Sequence, residues 1–211
     1  GHKIRGWEAE IGRGGARIQR SEERIAYGKI SGSVGNHRHV TREVETRALS
    51  HLGLLPEPYA TQIVARDRYA EVFVSLAILA GTMERIATDL RILAQTEIGE
   101  VAEGFGANQV GSSSMPHKRN PIGLEKICGL ARLVRGYAGV ALDSMASWGE
   151  RDISSSSVER VIGPDATAVT HHMARELVRI LQNLHVDEAA MARKVEEGEW
   201  GCQARAIGFI M

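Results

Sequence analysis

Residues 61–94 read TQIVARDRYAEVFVSLAILAGTMERIATDLRILA, and within them Val72, Leu76, Leu79, Met83, Ile86, Leu90 and Leu93 recur at alternating spacings of four and three. That alternation puts all seven side chains on one stripe of an α-helix, the seam along which helices pack in bundles. At 1.5 Å per residue the segment predicts a rod about 50 Å long. A compact globule of this chain length has a diameter of roughly 35–45 Å. An elongated bundle of long helices is therefore expected.

Working outward, Asn120-Pro121 is an N-cap followed by a proline at the first helical position. It opens a second helix, which carries Leu130, Leu133, Val134, Tyr137, Val140 and Ala141 inward and ends near Ser144 to Ser147. A third helix begins in the serine run 154–157 and continues through Val158, Ile162, Ala166, Val169, Met173, Leu177, Ile180 and Leu184, with Gly163-Pro164 bending its first turns. Residues 1–26 and 40–53 also carry helical patterns, and no stretch alternates as a buried strand does. The fold class is all-α. Residues 1–184 form a central helical-bundle domain, and a new helix after His185 marks 185–211 as the start of another all-α domain. The absence of an initiator Met and the apolar end at Phe209-Ile-Met211 predict a piece of a longer protein.

Composition narrows the function classes. The 211 residues hold 26 Lys+Arg against 26 Asp+Glu, 43% apolar and 5% aromatic residues. Zero net charge speaks against a general nucleic-acid or anionic-membrane binder, which needs a cationic surplus to neutralise phosphates. Apolar runs such as 76–80 fall far short of the roughly 18 residues a membrane span needs. A cytoplasmic protein is expected. Cys128 and Cys202 are too few for a disulfide framework, and buried reduced thiols are predicted. The histidines, among them His37, His39, His171 and His172, show no metal-ligand spacing.

Between the rods lie segments that packing does not explain. Residues 104–118 have no apolar period, three glycines and a serine triplet, the pattern of a loop that stays mobile until an anion arrives. Its end, Gly111-Ser-Ser-Ser-Met-Pro-His-Lys-Arg-Asn-Pro121, combines small residues that let backbone N–H groups turn toward an anion, a full charge at Lys118, and the positive end of a new helix. Such a site holds a carboxylate, stabilises an oxyanion, and favours a serine alkoxide as base. Further along, Arg151 and Arg160 offer forked donors suited to phosphate, with Ser156 between them at a helix start. Two exposed arginines paired with Glu150 and Glu159 would be the plain alternative.

The 111–121 stretch resembles the signature loop of the fumarase/aspartase superfamily, whose members eliminate fumarate or a related acid from a succinyl-type substrate. Within it, Tyr27-Gly-Lys-Ile-Ser-Gly-Ser-Val-Gly35, Thr61-Gln62 with Arg66-Asp67-Arg68, and Trp148-Gly-Glu-Arg-Asp-Ile-Ser-Ser-Ser-Ser-Val-Glu-Arg160 are similar to the adenylosuccinate lyase family. The likeness weakens after about Val195. It implies Ser112 as general base, with Ser113 beside it as a substrate contact. Lys118 and Asn120 would hold the succinyl carboxylates, and Glu125 would support Lys118 or substrate. Gln62 would face the nucleotide, while Arg151, Ser156 and Arg160 would hold its phosphate. The family's general-acid histidine belongs to a segment upstream of the point matching Gly1. The chain departs from relatives at Gly149 and Ser155, where bulkier or histidine side chains are common.

The resemblance further implies cleavage of adenylosuccinate to AMP and fumarate, the parallel cleavage of a succinylated carboxamide ribotide, no metal or organic cofactor, and a homotetramer with shared active sites. Nucleic acid and membrane are not expected partners. Two rival readings fit the sequence: another superfamily lyase or cycloisomerase acting on argininosuccinate or a carboxymuconate, and a non-catalytic helical assembly module. The Arg151-to-Arg160 segment separates the first rival, because only a nucleotide substrate requires a phosphate site there.

Overall fold

A computed structural model describes residues 1–104 and 120–196. The chain is all-α, with about two thirds of the described residues helical. In order it forms α1 (His2–Ile25), β1 (Tyr27–Gly28), α2 (Arg42–Ser50), β2 (Leu55–Pro56), α3 (Asp67–Leu93), β3 (Val101–Ala102), α4 (Ile122–Asp143), α5 (Ile153–Gln182), β4 (His185–Val186) and α6 (Glu188–Glu196). The strands are two-residue bridges. β1 pairs with β2 in parallel, Tyr27 opposite Leu55, and β3 pairs with β4 antiparallel, Val101 opposite Val186. No described helix is long and apolar enough to cross a membrane.

Two compact units share the helices. The first comprises Gly1–Glu10, Gly81–Ala131 and the chain from His171, and the second comprises Ile11–Ala80 and Arg132–Thr170. Met83, Ile86, Leu124, Ile127, Met173 and Ile180 are buried in the first. Phe73, Leu76, Val134, Ile162 and Ala166 are buried in the second.

The seam of α3 differs from the sequence expectation in an instructive way. Leu76, Met83, Ile86 and Leu90 are buried, but Val72, Leu79 and Leu93 are only half-buried, and the continuous buried series is Phe73, Leu76, Ala80, Met83, Ala87, Leu90. Alanines at 80 and 87 let a neighbouring element approach closely, so the packed stripe runs over small side chains that a search for large apolar residues passes by. α3 also begins at Asp67, six residues later than the pattern at Thr61 indicates. In α4 the inward face is Leu124, Ile127, Cys128, Ala131, Val134, Ala138 and Ala141, while Leu133 stays exposed. α5 buries Ile162, Ala166, Met173, Leu177 and Ile180 and runs unbroken through Pro164. That proline has no N–H for the carbonyl of Arg160, and the Thr167 hydroxyl instead donates to the carbonyls of Gly163 and Pro164 at 3.0 Å.

Candidate functional site

The start of α5 is built by its own sequence. Gly149 takes a positive φ of 61° and turns the chain. Asp152 then accepts a hydrogen bond from the Ser154 N–H at 2.9 Å, so the helix opens at Ile153. Bonds from the Ser154 N–H and hydroxyl hold the Asp152 carboxyl below its ordinary pKa. Ser156 and Arg160 are four apart and lie on one face of the helix, and Arg151 stands two residues before it.

Gln62 reaches the same neighbourhood through its backbone. The Gln62 N–H and the Thr61 hydroxyl both donate to the carbonyl of Glu150, at 3.3 and 2.9 Å, across 88 and 89 residues of sequence. Lys29 in turn donates to the carbonyls of Gly32, Thr61 and Gln62, the last two at 2.9 and 3.1 Å. The Gln62 side chain is exposed.

Not every arginine of this unit is available for a ligand. Arg66 pairs with Glu159 at 2.8 Å, off the N–H axis, so charge more than hydrogen-bond geometry holds it. Arg68 grips Glu57 at 2.7 Å, donates to the Arg24 carbonyl, and lies 3.6 Å over the Tyr27 ring. Glu57 keeps the Arg68 guanidinium protonated to still higher pH than usual. Arg151 and Arg160, by contrast, are exposed and form no ion pair among the described residues. The plain alternative, in which they pair with Glu150 and Glu159, is not what the structure has, since Glu159 belongs to Arg66.

In the other unit, Asn120 and Glu125 line a cleft of about 1140 Å³ together with Arg91, His185 and Asp187. Glu125 is exposed, 3.9 Å from Arg91. The cap of α4 differs from the sequence expectation: Pro121, not Asn120, supplies the first helical carbonyl, to the Glu125 N–H at 3.0 Å. The free N–H groups are taken by Glu103, a residue that the sequence did not single out. Its carboxylate, 6% exposed, accepts from Gly123 at 3.0 and 3.2 Å and from Leu124 at 3.4 Å, with Arg179 3.5 Å away. A Cβ on Gly123 would come within 2.5 Å of Glu103 Oε1. The signal for this cap was an acidic residue and a first-turn glycine twenty residues apart, which only the fold brings together.

Ser112, Ser113 and Lys118, the 104–118 loop expectation beyond Gly104, and Cys202 lie outside the described residues. Among the others, Gln62, Arg151, Ser156 and Arg160 fall on neighbouring segments of one unit, and Asn120 and Glu125 share the cleft of the other. His37, read as an ordinary histidine, sits 3.5 Å from the buried Glu45, which also accepts from the Ile30 N–H at 2.7 Å.

A family model described as "Lyase" matches residues 1–136. The chain belongs to this lyase family of the fumarase/aspartase superfamily. Members among the curated proteins include the adenylosuccinate lyases of Thermotoga maritima, 47% identical over 93% of this chain and 46% of its own length, and of Synechocystis sp., 48% identical over 92% and 45%. That of Bacillus subtilis is 41% identical over 100% of this chain and 47% of its own. The chain thus spans about half the length of the curated relatives it matches. Among solved structures of the superfamily, the 3-carboxy-cis,cis-muconate lactonizing enzyme of Pseudomonas putida superposes with a TM-score of 0.83 at 27% identity, over 99% of this chain and 47% of that one.

Proposed function

We propose that the full-length protein is an adenylosuccinate lyase, releasing fumarate from adenylosuccinate to leave AMP and from the succinylated aminoimidazole carboxamide ribotide of purine synthesis. The observation that supports a nucleotide over other succinyl-type substrates is the pair Arg151 and Arg160 beside Ser156, exposed and without carboxylate partners among the described residues, in a chain 41–48% identical to proteins of that name.

In the proposed mechanism Ser112 removes the proton from the carbon next to a succinyl carboxylate, and Lys118, with Asn120, stabilises the doubly charged aci-carboxylate that forms. Its collapse breaks the C–N bond, an acid outside these 211 residues protonates the departing nitrogen, and fumarate leaves. Glu125 supports the charge of Lys118 or of the substrate, Ser113 contacts substrate, and Gln62 faces the nucleoside. The elimination uses no metal or organic cofactor. Active sites complete themselves in a homotetramer, for which the exposed Ile78, Leu133, Leu142, Val161 and Val178 of the long helices offer apolar surface. Residues 1–184 form the central domain in this scheme, and 185–211 begin the next.

Fumarate release from adenylosuccinate by the full-length protein tests the proposal. Ser112→Ala should lower kcat by roughly 10²–10⁴ with substrate affinity retained, and Lys118→Met should damage both. Near-normal turnover in Ser112→Ala moves the base to Ser113. The muconate-enzyme likeness supplies the second reading, and turnover of 3-carboxy-cis,cis-muconate with none of adenylosuccinate would establish it.

A further inference from the structure

We propose that Lys29 is a positioning residue that fixes the distance between the nucleoside-facing Gln62 and the phosphate-facing Arg151; this rests on the assignment of Arg151, Ser156 and Arg160 to a phosphate. A lysine ammonium has three N–H donors. Here three backbone carbonyls take them, those of Gly32, Thr61 and Gln62. No donor is left for a ligand, so Lys29 acts through the backbone it holds and does not bind the anion itself.

What it holds is the junction on which both contacts depend. Thr61 and Gln62, gripped by Lys29 on their carbonyl side, grip the Glu150 carbonyl through the Thr61 hydroxyl and the Gln62 N–H. Glu150 is covalently followed by Arg151 and by Asp152, which opens the helix bearing Ser156 and Arg160. Three segments distant in sequence are thereby tied through a single charged group.

The loop that carries Lys29 is seated to match. Gly35, at φ 73°, lies so close to this strand of chain that a Cβ would stand 1.9 Å from the Ala60 carbonyl oxygen, and the His37 N–H closes the loop onto the Ser31 carbonyl at 2.9 Å. Among the described residues no carboxylate pairs with Lys29, so its charge also remains unneutralised on the side of the molecule where an anion is proposed to bind.

The experiment is a comparison of AMP and adenosine binding to full-length wild type, Lys29→Met, Lys29→Arg and Thr61→Val, with helix content monitored by circular dichroism. Lys29→Met should weaken AMP about tenfold and adenosine less than threefold. Lys29→Arg, which can still donate to several carbonyls, should recover most of the AMP affinity. Thr61→Val keeps the lysine and its charge but removes one of the two bonds to Glu150, and should weaken AMP about threefold.

Equal loss of AMP and adenosine, or no loss, in Lys29→Met overturns the proposal. So does loss in Lys29→Met with none in Thr61→Val, which marks a charge effect without positioning. If Lys29→Met does not fold, Thr61→Val alone decides. Wild type that binds AMP no better than adenosine removes the phosphate assignment first, and is thereby distinguished from a failure of Lys29.

Discussion

The N-terminus of α4 and the N-terminus of α5 look alike in sequence, each a polar loop running into a helix with arginine or lysine nearby, and the fold treats them in opposite ways. At α4 the protein's own Glu103 occupies the first free N–H groups, is buried, and is backed by Arg179. At α5 the half-buried Asp152 satisfies only the Ser154 N–H, and Arg151 and Arg160 have no acidic partner among the described residues. A helix start is thus an anion site only where the chain has not already filled it. Under the proposed function, substrate carboxylates near α4 would be held by side chains such as Lys118 and Asn120, while the start of α5 still has charge to offer.

Removing Glu103 breaks that contrast most directly. Glu103→Ala strands two buried N–H donors, a cost of about 3 kcal/mol. Amide exchange at Gly123 and Leu124 should then run roughly 100-fold faster, while Glu103→Gln, which keeps one acceptor oxygen, should recover part of the protection. Unchanged exchange would mean that α4 does not need its cap.

Arg160→Ala probes the other helix start. It should weaken AMP binding by roughly 1.5–3 kcal/mol, the usual worth of a hydrogen bond to a charged group, affect adenosine and fumarate far less, and leave the Gly123 amide untouched. Equal weakening of nucleoside and nucleotide would remove Arg160 from the phosphate site.

A smaller effect sharpens the α4 side. In Gly123→Ala the new methyl meets Glu103, Ile180 and Glu176 within 3.0 Å, which should cost roughly 1–2 kcal/mol. In a Glu103→Ala background part of that crowding is gone, so the two losses should sum to less than their separate values.

The smallest effect is on pH. Arg179 holds the Glu176 carboxyl below its ordinary pKa. A lowered folded pKa stabilises above the unfolded value and loses that contribution as pH falls through the folded one. Thermal melts should therefore lose a modest increment below about pH 4, and Glu176→Gln should flatten it.

Most of the helical framework was readable because large apolar residues recur with the helical period, and α5 buries five of the eight inward positions assigned to it, leaving Val158 and Val169 half-buried and Leu184 beyond its end. The shifts came from small residues. Ala80 and Ala87 carry the packed stripe of α3 without looking hydrophobic enough to define it, and Leu133 joined the apolar pattern of α4 yet faces outward. Of the site, the residue types around Arg151 and Arg160 were legible, but their lack of acidic partners among the described residues was not, because Glu159 sits beside Arg160 in sequence and pairs with Arg66 in space. Glu103 was illegible for a related reason: a cap supplied from twenty residues away has no local pattern.

Cys128 gives the first unit a chemical clock. Its thiol is 5% exposed and packed where the Thr88 hydroxyl lies 3.7 Å away and the Glu84 carbonyl 4.0 Å. A thiol reagent cannot reach the sulfur without separating α4 from α3, so the rate of alkylation reports how often that pair of helices opens. With Cys202 replaced by serine, labelling in the presence and absence of ligand would follow the breathing of this unit one sulfur at a time, with no spectroscopic probe added to the chain.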